Sequence, residues 1–266
     1  MNEEEKPFAV ITGASSGIGE AFARGFAVMG FNLIIIARRE NKLQELAVEL
    51  QKKHEIAVLT IKADLSKIEE IDAVYEKLRE TKNITFLVNN AGYGIPGSFI
   101  ESDLTKQIDM INVHNIASFQ LCKAVLPQMV ERNIGTIINV SSISGLIVKY
   151  GNVTYTTTKA FLITLSEALQ EELKHTNIKI QALCPGMTES GFHDTKELER
   201  FDKTSVPKKF WMSSNEVAQR SLEALSKKKT IYVPGFRNRL IVTLSNSKIF
   251  GKIIKSLAKR KLSKKK

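Results

Sequence analysis

Tyr155 and Lys159 stand four residues apart in VTYTTTKAF (153–161), and Ser142 stands thirteen residues before the tyrosine. Four residues make one helical turn, so a helix there puts the phenol and the ammonium on the same face. An unperturbed phenol, with a pKa near ~10, is a poor proton donor or acceptor at neutral pH. A neighbouring cation favours tyrosinate and pulls that pKa toward working pH. Carbonyl reduction is the chemistry such a pair suits, because the developing alkoxide needs one proton donor and a second hydrogen bond. Ser142 can supply that second bond. Tyr150, the other tyrosine nearby, has Thr154 rather than a cation at the fourth position, and reads as a wall of the site or as packing.

A second group of residues points to a phosphate-bearing ligand. TGASSGIG (12–19) has glycines at 13, 17 and 19, which differs from the G-x-G-x-x-G spacing. Its purpose can be the same. Glycines let backbone approach a pyrophosphate, and the next helix presents free N–H groups and the positive end of its dipole. Dinucleotide folds that bind NAD usually carry an acid at the end of the second strand, to hold the ribose 2′-hydroxyl. Here that strand ends IIIARRE, with Ala37 in the acid's place and Arg38 and Arg39 following. Guanidinium matches phosphate by paired hydrogen bonds, so NADP(H) is expected ahead of NAD(H), with Arg38 the preferred contact.

The elements that must position these groups alternate along the chain. FAVIT (8–12) and NLIIIA (32–37) read as buried strands, and NKLQELAVELQKK as an amphipathic helix with Leu43, Leu46, Ala47 and Leu50 on one face. AVLTIKADL, ITFLVNNAG, GTIINVS and IKIQALCPG continue the strands. Helices are expected over 68–80, 103–131 and 154–175. Continuous apolar strands separated by helices predict a parallel sheet covered on both faces, an α/β doubly wound fold in one domain. The stretch 187–212 lacks periodicity and is expected to be functional.

TGASSGIG, NNAG (89–92), Asn112, Ser142, Tyr155-x-x-x-Lys159 and Pro185-Gly186 occur in the order and spacing of the short-chain dehydrogenase/reductase family, which the chain resembles over about residues 7–235. The resemblance implies a three-layer Rossmann fold and hydride transfer between a nicotinamide cofactor and a carbonyl or alcohol. Carried over residue by residue, it implies Ser142, Tyr155 and Lys159 as catalytic and Asn112 as their support in a water-linked proton path. It implies cofactor contacts from Gly13, Ser15, Ser16, Gly17, Ile18, Gly19, Arg38, Arg39, Asp64, Leu65, Asn90, Ala91, Gly92, Tyr155, Lys159, Pro185, Gly186 and Ser190. Asp64 resembles the adenine contact. Ser190 stands where the family commonly has Thr and keeps the hydroxyl. YxxTKAF and FRNRL are similar to a bacterial branch related to hydroxysteroid and 3-ketoacyl reductases. By its place after Pro185-Gly186, the stretch 187–212 is expected to be a substrate lid. Phe192, Phe201, Phe210, Trp211 and Met212 make a lipophilic ketone or acyl substrate plausible. Family members commonly form dimers or tetramers through the helices near 103–131 and 154–175.

Charge is unevenly placed. Residues 227–266 hold fourteen Lys/Arg and no acid, whereas the preceding 226 residues hold 25 basic and 28 acidic groups. The net +11 therefore belongs to the tail, and gives no reason to expect a nucleic-acid-binding domain. Phe250, Ile253, Ile254 and Leu257 recur at helical spacing opposite Lys248, Lys252, Lys255 and Lys259, as in a helix lying on an anionic membrane. A helix packed on the domain or on a second subunit has the same pattern. The tail, 236–266, is thus set apart from a dehydrogenase domain over 1–235. Cys122 and Cys184 lie in apolar segments and the four histidines are scattered, so neither a disulfide framework nor a metal site is expected. The acidic start, MNEEEKPFAVITG, is unlike a signal peptide. A cytoplasmic enzyme, with peripheral attachment to the inner membrane face left open, is the expectation. A nucleotide-sensing or membrane-tethered protein without turnover is the alternative.

Overall fold

The computed structural model describes residues 6–148, 151–194, 206–227 and 229–247. Seven parallel strands form one sheet: β1 (Phe8–Thr12), β2 (Asn32–Ala37), β3 (Val58–Lys62), β4 (Ile84–Asn89), β5 (Thr136–Val140), β6 (Lys179–Leu183) and β9 (Ile231–Tyr232). Between β6 and β9, β7 (Thr188–Glu189) and β8 (Met212–Ser213) pair as a separate two-stranded ribbon. The helices are α1 (Gly17–Val28), α2 (Glu40–His54), α3 (Ile68–Glu80), α4 (Leu104–Ile111), α5 (Ala117–Arg132), α6 (Val153–Glu172), α7 (Ser214–Ala224) and α8 (Phe236–Asn246).

The strands run in the order β3-β2-β1-β4-β5-β6-β9. The chain therefore winds outward one way from β1 and then the other way from β4. In such sheets ligands bind beyond the carboxyl ends of the strands, where the winding reverses. Every residue of β2 and of β5 is buried, as expected of strands covered on both faces. One core packs Phe22 and Phe26 of α1, Leu43 and Leu50 of α2 and Val217 of α7 against the sheet. The other packs Ile71 and Leu78 of α3 and Leu121 and Val125 of α5 against the opposite face.

The expected helix over 103–131 is interrupted. Residues Asn112–Ile116 form a π-turn between α4 and α5, and the Ala117 N–H donates to the Asn112 carbonyl. A π-turn inserts one residue into the helical repeat, so side chains beyond it point to faces an unbroken helix would not give them. The final strand β9 and the helices α7 and α8 were not anticipated. Between Pro185 and α7, the described residues of the stretch expected to be irregular hold β7, β8 and 3-10 turns at Gly191–Asp194 and Lys208–Phe210. Phe201 and Tyr150 lie outside the described residues, as do Lys248, Phe250, Lys252, Ile253, Ile254, Lys255, Leu257 and Lys259 of the tail.

Candidate active site

The turn after β1 is shaped by what it lacks. Gly13 (φ +66°) and Gly17 (φ +61°) have left-handed backbone that disfavours a side chain. A Cβ on Gly13 would lie 2.8 Å from Asn90 Nδ2, and one on Gly17 would lie 2.8 Å from Ser190 Cβ. A Cβ on Gly19 would run into the Gly13 carbonyl, so Gly19 permits the close packing of α1 on the turn. Thr12 locks this turn to the end of β4: its Oγ1 accepts from the N–H groups of Asn90 (2.9 Å) and Ala91 (3.0 Å). Asn90 returns its amide to the Thr12 carbonyl at 2.9 Å.

This cradle opens into a cavity of about 580 Å³. Gly13, Ser15, Ser16, Gly17, Ile18, Arg38, Arg39, Asp64, Leu65, Asn90, Ala91, Gly92, Ser142, Tyr155, Lys159, Pro185, Gly186 and Ser190 all line it. Arg39 donates to Ser15 Oγ (2.9 Å) and Ser16 Oγ (2.6 Å). The guanidinium fastened over the glycine turn is thus Arg39, although the sequence placed Arg38 ahead of it. Asp64 Oδ1 accepts from the Ser66 N–H, which shapes the loop leaving β3.

Ser142 caps the 3-10 turn after β5, accepting from the Ser144 N–H at 3.1 Å. Tyr155 and Lys159 lie one turn apart on α6, the ammonium 5.8 Å from the phenol ring centre. Lys159 is buried and its Nζ donates to the Val140 carbonyl at 2.8 Å. Burial pushes its pKa down to about 8, because the charged form has lost its water. Burial pushes the Tyr155 phenol up to about 12, with the Ser142 hydroxyl pulling the other way. In the free protein desolvation thus holds the phenol high; the expected lowering rested on Lys159 together with the positive charge of an oxidised nicotinamide.

Asn112 does not itself line the cavity; its Nδ2 donates to the Ser66 carbonyl at 3.0 Å, fastening the loop after β3. The π-turn that begins at Asn112 brings the next residues against α6. His114, fully buried, bonds Thr158 through Nδ1 at 2.8 Å, and Asn115 donates to the Thr158 carbonyl at 3.0 Å. Histidine spacing alone had no way to flag His114, because its partners lie on another loop and another helix. Asn238 of α8 was also missed. A Cβ on Gly186 would strike its side chain, so α8 closes the floor beneath the Pro185-Gly186 loop. Among the described residues no cluster of three His, Cys, Asp or Glu is placed to hold a metal ion.

A parallel sheet with a glycine cradle at its winding reversal, and a Ser–Tyr–Lys group opening into the same cavity, defines a nucleotide-dependent oxidoreductase of the Rossmann type. Residues 7–200 match the short chain dehydrogenase family, and the chain belongs to the short-chain dehydrogenases/reductases. It is 33% identical to an NADP-dependent 3-hydroxy acid dehydrogenase of Schizosaccharomyces pombe, over 84% of this chain and 88% of that one. It is 35% identical to a very-long-chain 3-oxoacyl-CoA reductase of Rattus norvegicus, over 67% of this chain and 58% of that one. Among solved structures, a short-chain dehydrogenase from Sphingobium yanoikuyae in complex with NADPH superposes with a TM-score of 0.80 at 31% identity. That match covers 86% of this chain and 88% of the other. The chain is an oxidoreductase of alcohols and ketones.

Proposed function

We propose that the protein is an NADPH-dependent reductase of neutral, lipophilic ketones or 3-oxoacyl thioesters. The observation that carries this reading is the division of charge in the cavity. Its charged lining residues among those described are Arg38, Arg39, Asp64 and Lys159, all at the nucleotide end or within the catalytic group. The other end presents Tyr93, Pro96, Ile143, Met187 and Phe192. A carboxylate entering there would lose water without meeting a described cation, which is costly.

The cradle fits the nucleotide. Gly13 and Gly17 let the turn lie close against Asn90 and Ser190 with its backbone facing the cavity, as a pyrophosphate requires, and Arg39 stands over the turn with Ser15 and Ser16 to meet a 2′-phosphate. Bound NADPH supplies the hydride. Ser142 donates a hydrogen bond to the substrate oxygen, and Tyr155 passes its phenolic proton to that oxygen as negative charge develops. Lys159 holds its cation beside the phenol and stabilises the tyrosinate left behind. In the reverse direction Tyr155 must start as tyrosinate. With its pKa pushed up to about 12 in the free protein, Tyr155 starts at neutral pH as the phenol, the form that reduction needs.

The test is a panel of substrates followed by loss of NADPH absorbance. Neutral 3-oxoacyl thioesters and bulky ketones are expected to exceed the matching free 3-oxo acids in kcat/KM by roughly tenfold or more, the scale of one unpaired buried charge. Equal values for acid and thioester would overturn the neutral-substrate reading. No turnover with any carbonyl would restore the silent-binder alternative.

Two finer readings accompany this one as proposals. Exposed Leu104, Ile108 and Phe119 on α4 and α5, with Val153 and Phe161 on α6, suit the homo-oligomer that the resemblance implies. Exposed Phe236 and Leu240 beside Arg237 and Arg239 on α8 suit an anionic membrane surface. Light scattering and vesicle sedimentation test them in turn. Among the described residues no helix is long and apolar enough to cross a membrane.

A further inference from the structure

His114 is a fully buried imidazole that proton transfer, as derived above, does not use. Both ring nitrogens are engaged. The Tyr93 N–H donates to Nε2 at 3.1 Å, so Nε2 carries no proton. Thr158 Oγ1 donates its own proton to the Tyr155 carbonyl at 2.9 Å, so it receives from Nδ1. The network thus assigns one neutral tautomer, with hydrogen on Nδ1. Burial and the Lys159 cation both hold the ring neutral, well below the usual histidine range.

We propose that His114 is a positioning residue: it ties the Tyr93 loop after β4 to helix α6, and so sets the seat of both the nicotinamide end of the cofactor and the Tyr155–Lys159 pair. The π-turn aims it there, and its two arms act on different parts of the site. The Nδ1 arm reaches the turn of α6 between Tyr155 and Lys159. The Nε2 arm holds the loop whose residues Asn90, Ala91 and Gly92 line the cavity. A side chain on Gly92 would meet Nε2 at 2.7 Å, so the loop is packed against the ring as well as bonded to it. Asn115 adds a bond to the Thr158 carbonyl, which makes the π-turn a two-point brace on the catalytic helix.

The inference rests on Tyr155 and Lys159 being the catalytic pair, and three substitutions test it. His114→Asn can still donate to Thr158 but is too short to hold Tyr93 as well. His114→Gln reaches Tyr93 and gives up Thr158. His114→Phe keeps an aromatic ring and loses both bonds. Displacement of a catalytic group by about 1 Å costs on the order of a hundredfold in rate. The Phe variant is therefore expected to lose ten- to a hundredfold in kcat while remaining folded by circular dichroism. The Asn variant should keep kcat within a few-fold and raise KM for NADPH, and the Gln variant should show the opposite split. A purely structural role would lower Tm in all three without separating kcat from KM, and that result would overturn the proposal. If the Phe variant fails to fold, the Asn and Gln variants decide, and wild-type kcat and KM in both would sink it. Tyr155→Phe, run alongside, tests the underlying assignment separately: turnover retained there removes the catalytic pair whatever His114 does.

Discussion

Around Gly13 and Gly17 the cavity surface is largely backbone, while around Tyr93, Met187 and Phe192 it is side chain. The first region is held by hydrogen bonds between strand ends. Thr12 and Asn90 exchange them across the ends of β1 and β4, and glycine stands where a Cβ would collide with protein. The second is assembled from segments far apart in the chain: the Tyr93 loop, the turn after Ser142, the β7–β8 ribbon and α8 beneath Gly186. A surface made of backbone can recognise only what is common to every turnover, the nucleotide. A surface made of side chains from long connections can be altered without disturbing the sheet, and the proposed function places substrate choice there.

The largest test of this division falls on Tyr155, which serves both regions. Tyr155→Phe is expected to lower kcat by about a thousandfold, the scale of a lost general acid, and to leave NADPH affinity unchanged in a fluorescence titration. A parallel loss of NADPH binding would mean the two regions are not separable. Lys159→Met is next, with kcat falling on the order of a hundredfold because the tyrosinate loses its cation. Its stability should move the other way. The folded pKa of Lys159, about 8, lies below the unfolded value of 10.5, so the wild type pays for a buried charge below pH 8. That penalty, on the order of 3 kcal/mol, fades as pH rises from 8 to 10.5. Tm of the Met variant relative to wild type should therefore be highest below pH 8 and decline above it. A difference independent of pH would refute the assignment of that shift.

Arg39→Ala should raise KM for NADPH by about ten- to a hundredfold and leave KM for NADH nearly unchanged, since only the phosphate contact is lost. Equal effects on both cofactors would place Arg39 in the turn's framework instead. The smallest effect is expected from Phe192→Ala. KM for a lipophilic ketone should rise about five- to tenfold from lost apolar contact, with no change for NADPH. A change in NADPH affinity would show that the ribbon also serves the nucleotide.

Sequence alone determined what depends on local spacing. The glycine turn is contiguous, Tyr155 and Lys159 share a helical turn, and the apolar runs dictated the parallel sheet. Only tertiary structure decided what depends on contacts between distant segments. Which arginine is fastened over the turn rests on Ser15 and Ser16 meeting Arg39. That His114 and Asn115 both reach helix α6 rests on a π-turn that an i, i+4 reading passes over. The phenol pKa depended on how much water the fold removes, which the helical spacing that pairs Tyr155 with Lys159 does not contain.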